Sequence, residues 1–294
     1  MKTFLITGAS GFVGNNFLKN FSNKNNLYYI FLRNSKKNKK FKNLFKDKNK
    51  KFIFFKKNSE IYTSIKYLKI NFFINFATYY TKDNNFKNTE RLINSNILFP
   101  SLILESINKK YLKKVITFGS MQEHLQNKEY MPDCFYAATK RSLDNLFFFH
   151  KIKLNEIKFY NLKFYETYNT YDKRKKLIPL IKRNYIKNLT TNLASKNLNL
   201  NFLHVDDVCQ AVNIIINKNI KSGEYQIQAK KFSNPKKLID KFNKMNFKKI
   251  KYITKDNNIF NINYNLKKLP YWKQTINIEN NFNHLLNENY QNKI

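Results

Sequence analysis

Apolar and polar positions along the chain follow two rhythms. Residues 1–7, MKTFLIT, end in an apolar run that predicts a short buried strand. Residues 12–22 then place Phe12, Val13, Phe17, Leu18 and Phe21 on one helical face. Further apolar runs predict strands at 27–32, 51–55, 71–77, 114–118 and 158–164. Helical spacing predicts helices at 59–68, 89–108 and 135–153, with a bend in the second at Pro100. These strands are apolar throughout instead of alternating, as in a parallel sheet covered on both faces. The expected fold is therefore α/β, with a doubly wound parallel sheet.

Beyond residue 165 the pattern is less regular. A helix is expected at 177–188, a short strand at 202–204 and a helix at 206–217. From Lys218 onward short pieces alternate with Asn- and Lys-rich loops. Residues 34–51 read as an exposed, mobile Lys/Asn-rich connection, and there is no internal repeat or long linker. The predicted division is a first domain over 1–165, completed by about 200–220, and a smaller C-terminal α/β lobe from 166–199 and 221–294.

The length of 294 residues suits one domain or two fused lobes and allows a sizeable core. A hydrophobic content of 42% excludes a disordered chain. Five Gly and five Pro exclude collagen-like and glycine-linker classes. Two Cys exclude a disulfide scaffold and a multi-cysteine zinc site, and no metal is expected. No apolar stretch is long enough to span a bilayer, and MKTFLIT is too short an apolar run for a signal peptide. A cytoplasmic location follows as the expectation.

The formal net charge of +36 invites a nucleic-acid reading. Yet the lysines run from Lys2 to Lys293 without clustering, and Lys, Asn, Ile, Phe and Tyr are favoured together. Their codons are built mostly from A and T, so the lysine excess is read as a solvated surface under codon bias. No specific nucleic-acid partner and no membrane partner are expected. That bias makes glycine informative: of five in the chain, Gly8, Gly11 and Gly14 lie within seven residues. A glycine kept where glycine is rare answers a backbone need.

Three motifs carry chemistry. Thr7-Gly8-Ala9-Ser10-Gly11-Phe12-Val13-Gly14 follows the first strand and opens the first helix. Glycines there let the backbone approach a pyrophosphate, and the helix N-terminus offers free N–H groups. Tyr136-Ala137-Ala138-Thr139-Lys140 puts a phenol and an ammonium on one helical face. A nearby cation favours phenolate, which would bring the phenol's pKa toward the neutral range. The YxxxK spacing alone recurs by chance in a Lys- and Tyr-rich chain; its place after the fifth strand of a glycine-turn fold gives it weight. Thr117-Phe118-Gly119-Ser120-Met121-Gln122 closes the fifth strand with two hydroxyls, Thr117 inside the strand and Ser120 at its end. Glu123 and His124 fall in the next loop, where substrate contact competes with plain surface exposure.

TGASGFVG resembles the cofactor turn of the extended short-chain dehydrogenase/reductase superfamily, in its NAD-dependent epimerase/dehydratase group, which works largely on nucleotide sugars. The spacing is GxxGxxG, as in that family. The resemblance implies a Rossmann-type sheet with a cofactor held by Thr7, Gly8, Ser10, Gly11, Phe12, Val13 and Gly14. It implies further contacts from Arg33, Phe76, Ala77, Asn96, Tyr136 and Lys140. Tyr136 would exchange a proton with a sugar hydroxyl or ketone, Lys140 would hold the nicotinamide ribose, and Ser120 would steady the reacting oxygen. Gln122, His124 and Arg174 are the implied substrate contacts. Phe202-Leu203-His204-Val205-Asp206-Asp207-Val208 resembles a family signature that caps a helix and braces the lobes, and Leu269-Pro270-Tyr271-Trp272-Lys273 its closing motif, with Trp272 in packing.

The segment 161–177, with Tyr168 and Asp172-Lys173-Arg174-Lys175-Lys176-Leu177, resembles reductases and epimerases for CDP- or dTDP-linked deoxysugars such as CDP-abequose synthase. Asn169-Thr170 departs from that subgroup's Gly-Pro, and Lys56-Lys57-Asn58 from its acidic residue near the adenine. The implied reaction is hydride transfer at a sugar carbon, C4, and a homodimer is implied through a helical bundle that includes 135–153. A dehydratase is the chemical alternative, but Met121-Gln122 replace that reaction's Asp-Glu pair. A non-catalytic cofactor-binding regulator is the other alternative, against which Tyr136 and Lys140 are both retained.

The second strand ends at Arg33, and no acid lies between Ser22 and Lys46. An acidic residue there would bind the 2′-hydroxyl of NAD. Arg33 suits a 2′-phosphate, with Lys36 and Lys37 adding charge, against the reading of one more surface cation. NADP(H) is therefore the favoured cofactor, with NAD(H) as the alternative.

Overall fold

The computed structural model describes residues 1–255, 257 and 262–288. In chain order its strands are β1 (Thr3–Thr7), β2 (Leu27–Arg33), β3 (Lys50–Phe55), β4 (Phe72–Asn75), β5 (Lys114–Phe118), β6 (Lys158–Lys163), β7 (Glu166–Tyr168), β8 (Thr191–Leu193), β9 (Phe202–His204), β10 (Gly223–Gln226) and β11 (Tyr252–Thr254). The helices are α1 (Phe12–Asn20), α2 (Lys36–Lys42), α3 (Ser59–Ile65), α4 (Phe86–Ile93), α5 (Phe99–Ser106), α6 (Phe135–Lys153), α7 (Leu177–Ile186), α8 (Val205–Asn217), α9 (Pro235–Met245) and α10 (Ile278–Asn287).

Seven strands form one parallel sheet in the order β10-β6-β5-β4-β1-β2-β3. Successive side chains point to opposite faces, so both faces need apolar residues. Phe4 and Ile6 enter a core with Phe17 and Leu18 of α1 and Val208 and Ile215 of α8. Leu5, between them, enters the opposite core with Ile61 of α3, Ile103 of α5 and Leu143 of α6. This two-sided burial is the reason the strands read as continuous apolar runs. Each fully buried Phe, Leu or Ile contributes about 1.5–3 kcal/mol relative to exposure. A third core, with Ile181, Phe202, Phe242 and Phe282, holds the smaller lobe together.

The strand order reverses between β1 and β4, and such a switch point opens a crevice at the carboxyl ends of the strands. The glycine turn follows β1 there, and Phe76-Ala77 follow β4.

The structure departs from the sequence expectation in four places. Residues 34–51 are not all loop: α2 forms there, with Ser35 accepting a hydrogen bond from Asn38 N at 3.2 Å and Phe41 buried. Phe41 packs on Phe45 and Phe52, an anchor hidden in a Lys/Asn-rich stretch. Helix 89–108 begins earlier and widens into a π-turn at Asn94–Leu98, just before Pro100 in α5. The expected bend thus takes the form of a π-turn, whose wider ring accommodates the proline's missing N–H. β10 lies beyond the 200–220 segment expected to complete the first domain, because α8 is a crossover that returns the chain to pair beside β6. Finally, α9 and α10 stand where only short pieces were expected. Asn234 caps α9 by accepting from Lys237 N, and Leu238, Ile239 and Phe242 supply its buried stripe.

Candidate functional site

A cleft of about 1050 Å³ opens along the carboxyl ends of the sheet. Its first wall is the glycine turn. Gly8 has φ +67°, and a Cβ there would lie 2.2 Å from Ala77 N, so only glycine lets β1 and β4 end side by side. Gly11 N donates to Gly8 O at 2.9 Å and closes the turn. Gly11 is also the N-cap of α1, with no side-chain cap and no acid in the first turn. The first N–H groups of α1 therefore remain for an anion. Gly8, Ser10, Gly11, Phe12 and Val13 line the cleft, as do Phe76 and Ala77.

Two of the turn's expected cofactor contacts, Thr7 and Gly14, do not line it. Thr7 is buried, donating to Asn75 Oδ1 at 2.6 Å, and so ties β1 to β4. Gly14 faces inward, where a Cβ would meet Gly8 O at 2.6 Å; its task is close helix–turn packing. Asn96 also lies off the cleft. Its Oδ1 accepts from Thr78 Oγ1 and Tyr79 N, and its Nδ2 donates to Tyr79 O and Thr139 Oγ1. With both ends of the amide engaged, Asn96 braces the segment after β4 against α6, and the expected cofactor contact has no free group to make it.

The facing wall brings Ser120, Gln122, Tyr136 and Lys140 onto the same cleft. Ser120 caps the 3-10 turn Met121–Glu123, its Oγ accepting from Gln122 N at 3.2 Å. Thr117 is buried within β5 and donates to Tyr160 O at 3.3 Å, as its place in the strand predicts. Tyr136 and Lys140 share one face of α6, with Lys140 Nζ 5.9 Å from the Tyr136 ring centroid. Tyr80 meets the Tyr136 ring edge-on at 4.8 Å between centroids.

The electrostatics here correct one expectation. The protein's own groups do not bring the Tyr136 phenol down: burial pushes it up, with Tyr80 and Glu123 adding to the rise and only Thr78 opposing. Burial also weakens the Lys140 ammonium, bringing its pKa down to about 8, against the pull of Asp144 and Glu123. Desolvation is thus the largest effect on the phenol.

Glu123 and His124 are neither exposed nor in the cleft. His124 is 2% exposed, stacks on Tyr264 at 4.3 Å, and has Nδ1 3.2 Å from Lys128 O. Its packing under the loop removes it from substrate contact. Glu123 is fully buried, with Oε1 accepting from Ser120 N at 2.9 Å.

At one end Arg174 lines the cleft. Its guanidinium is held by Asp172 at 2.7 Å, donates to Thr167 O at 2.7 Å, and lies 3.6 Å from the Phe12 ring centroid. Lys175 and Lys176, from the same run 172–177, line the cleft beside it, and so do Tyr80, Lys82, Asp133 and Glu166, which sequence reasoning missed. Lys176 pairs with Glu166 at 3.0 Å and lies 4.0 Å from the Tyr80 ring centroid, while Lys82 pairs with Asp133 at 2.8 Å. No local motif marks Tyr80, Lys82 or Asp133, since their partners come from distant segments. Tyr168 sits wholly in the smaller lobe's core.

At the other end Arg33, Lys37 and Asn38 line the cleft. Arg33 also borders an adjoining pocket of about 330 Å³ with Lys56, Asn58 and Arg91. The lobes are braced by Asp207, whose carboxylate accepts from Thr275 N at 2.8 Å and Ile276 N at 3.2 Å, and whose backbone carbonyl accepts from Trp272 Nε1 at 2.9 Å. His204 caps α8 by accepting from Asp206 N at 3.2 Å. Among the described residues no helix is long and apolar enough to cross a membrane, and no cluster of three or more His, Cys, Asp or Glu could hold a metal.

A sequence model of the NAD dependent epimerase/dehydratase family matches residues 4–227. The chain belongs to that family. No curated protein matches the sequence. Among solved structures it is similar to dTDP-glucose 4,6-dehydratase from Bacillus anthracis in complex with NAD, at TM-score 0.78 and 18% identity, covering 97% of this chain and 96% of that one. It is similar to UDP-glucuronic acid 4-epimerase from Bacillus cereus in complex with UDP-glucuronic acid and NAD, at TM-score 0.77 and 15% identity over 95% and 96% of the chains. It is also similar to UDP-N-acetylglucosamine 4-epimerase from Methanobrevibacter ruminantium, at TM-score 0.75 and 16% identity over 97% and 96%. At these identities the likeness is one of fold.

Proposed function

We propose that the protein is an NAD(P)-dependent reductase or epimerase of a nucleotide-linked deoxysugar, acting at a sugar carbon, C4. One observation carries this reading: a single cleft is walled on one side by the glycine turn and on the other by Ser120, Tyr136 and Lys140. The cradle suits a dinucleotide, because the turn keeps its first helical N–H groups free and puts no acid beside them. When bound, the nicotinamide supplies or accepts the hydride. The rest falls to side chains of this chain. Tyr136 gives or takes the proton at the sugar oxygen, Ser120 donates a hydrogen bond to that oxygen, and Lys140 holds the nicotinamide ribose. Arg174, Lys175 and Lys176 supply positive charge where the nucleotide diphosphate would lie. The absence of an acid pair at Met121-Gln122 ranks dehydration below reduction and epimerisation.

NADP(H) is the proposed cofactor, with Arg33 and Lys37 as partners of the 2′-phosphate. A homodimer is part of the reading. Leu146, Phe148, Phe149 and Ile152 stand 43–59% exposed on α6, an apolar face that a second copy would cover. Two free cysteines fit a reducing, cytoplasmic location. The test is a screen of purified protein against nucleotide sugars and their 4-keto forms, following the absorbance of reduced cofactor. Cofactor-dependent turnover of such a sugar is expected, and turnover by none of them would end the proposal. Measurement of mass in solution checks the dimer.

A further inference from the structure

A buried ionic cluster sits directly behind the Ser120 turn. Lys163, at the end of β6, is 0% exposed. Its Nζ lies 2.8 Å from Glu123 Oε2, 3.0 Å from Glu224 Oε2 and 3.8 Å from Asp144 Oδ2. Glu123 is equally buried and divides its carboxylate between two tasks: Oε2 takes Lys163, while Oε1 accepts Ser120 N–H at 2.9 Å. The Lys163 stem passes over Gly119, where a Cβ would come within 2.7 Å of Lys163 Cγ. The same turn is stitched to β6 through Gly119 N to Leu162 O and Met121 N to Phe164 O. It is stitched to the returning loop through Met131 N to Glu123 O and Asp133 N to Gln122 O.

An ion pair buried this deeply gains little net stability over an apolar pair of similar shape. Its position is more informative, since one carboxylate links the backbone of Ser120 to strands and a helix distant in sequence. We infer that the Glu123–Lys163 pair is a positioning device, which fixes the Ser120 turn against β6 and so holds Ser120 in the cleft. The inference rests on the proposed role of Ser120 and Tyr136, and it assigns Glu123 no contact with substrate.

The groups facing Tyr136 are Thr78 and Tyr80 from the segment after β4, Glu123 from the Ser120 turn, Cys134 at the start of α6, and Lys140 one turn along it. Burial pushes the Cys134 thiol up to about 11, so it stays neutral near physiological pH. Glu123 is thus the carboxylate among these neighbours, and its charge raises the phenol. Behind it, Lys163 faces Glu123, Asp144 and Glu224, and Arg141 lies 3.3 Å from Glu224. Burial holds the Asp144 carboxyl well above the usual carboxylate range.

Glu123→Gln keeps an oxygen for Ser120 N–H and removes the charge. In the holoenzyme, kcat should fall about tenfold or more, as expected when a reacting group is slightly misplaced. KM and cofactor affinity should stay within about twofold, which a general loss of folding would not leave intact. The limb of the pH–rate profile that Tyr136 governs should move to lower pH, because a charge that raised the phenol is gone. Unchanged kcat with an unmoved limb overturns the inference. If the single variant unfolds, the double variant Glu123→Ala with Lys163→Met removes both charges of the pair, while Glu224 keeps Arg141 at 3.3 Å and the buried Asp144 carboxyl, already held above the usual range, can take up a proton. The double variant should fold, with the same loss of kcat; wild-type kcat in that folded variant overturns the inference.

Hydrogen exchange separates this inference from the functional reading on which it rests. Should wild type turn over no nucleotide sugar, the functional reading fails by itself. Amides of 119–123 should still exchange at least about tenfold faster in the double variant than in wild type, with the rest of the sheet unmoved. Equal exchange in that segment overturns the positioning role.

Discussion

The two walls of the cleft are built by opposite means. The glycine wall is backbone: Gly8 turns through a positive φ, Gly14 lets α1 approach, and Gly11 leaves the helix end uncapped. Its partners lie within a few residues in sequence, apart from the neighbour strand at Ala77. The Ser120–Tyr136 wall is made of side chains gathered from the turn after β5, from α6, β6 and β10. One wall works by removing side chains and the other by burying charged ones. A site for a polyanion needs open N–H groups, whereas a site for proton transfer needs dry, fixed dipoles.

The largest expected effect tests the side-chain wall. Tyr136→Phe removes the proposed proton-transfer group and keeps the ring, so turnover should fall by roughly 10²–10⁴ while cofactor affinity stays nearly intact. Comparable turnover in mutant and wild type would remove Tyr136 from the chemistry.

The glycine wall divides into two kinds of glycine, and a pair of variants separates them. At Gly11 a Cβ meets only Gly8 O, at 3.1 Å, so Gly11→Val should fold and weaken cofactor binding by about a hundredfold, or about 2.7 kcal/mol. At Gly8 a Cβ would collide with Ala77 backbone at a φ of +67°, so Gly8→Ala should destabilise the fold by about 3 kcal/mol or more. Cofactor titration and thermal melts read the two outcomes, and normal titration of Gly11→Val would defeat the phosphate-cradle assignment.

Lys140 gives the side-chain wall a pH signature. Burial lowers its pKa from 10.5 to about 8, so the unfolded chain holds the proton more tightly than the folded one. Between about pH 8 and 10.5 Lys140 therefore binds more protons in the unfolded state, and its own contribution to stability rises with pH across that window. Below about pH 8 the full cost of burying the ammonium is present. The rise should amount to about 3 kcal/mol and should vanish in Lys140→Met. Parallel slopes of stability against pH in the two proteins would show that Lys140 is not desolvated.

The smallest effect sharpens the cofactor reading. Arg33→Ala should weaken NADPH binding by about tenfold, or about 1.4 kcal/mol, and leave NADH almost unchanged. Equal losses for both cofactors, or a wild-type preference for NADH, would reduce Arg33 to a surface cation and leave the glycine wall untouched.

By itself the sequence determined the sheet, the glycine turn, and the placing of Tyr136 and Lys140 on one helical face. Each is a local matter: apolar runs buried from both sides, glycine where a backbone needs it, and residues four apart on a helix. It did not reveal α2, α9 or α10, because Phe41, Phe242 and Phe282 act as anchors only when distant partners meet them. Tertiary structure alone decided the fates of Asn96, His124 and Glu123. Asn96 gives its amide to neighbours on both sides, His124 stacks on Tyr264, and Glu123 finds Lys163 forty positions away. The physical reason is that a polar side chain's role follows from which hydrogen-bonding groups surround it once water is excluded. Those groups are brought together by folding, from segments that carry no local trace of one another.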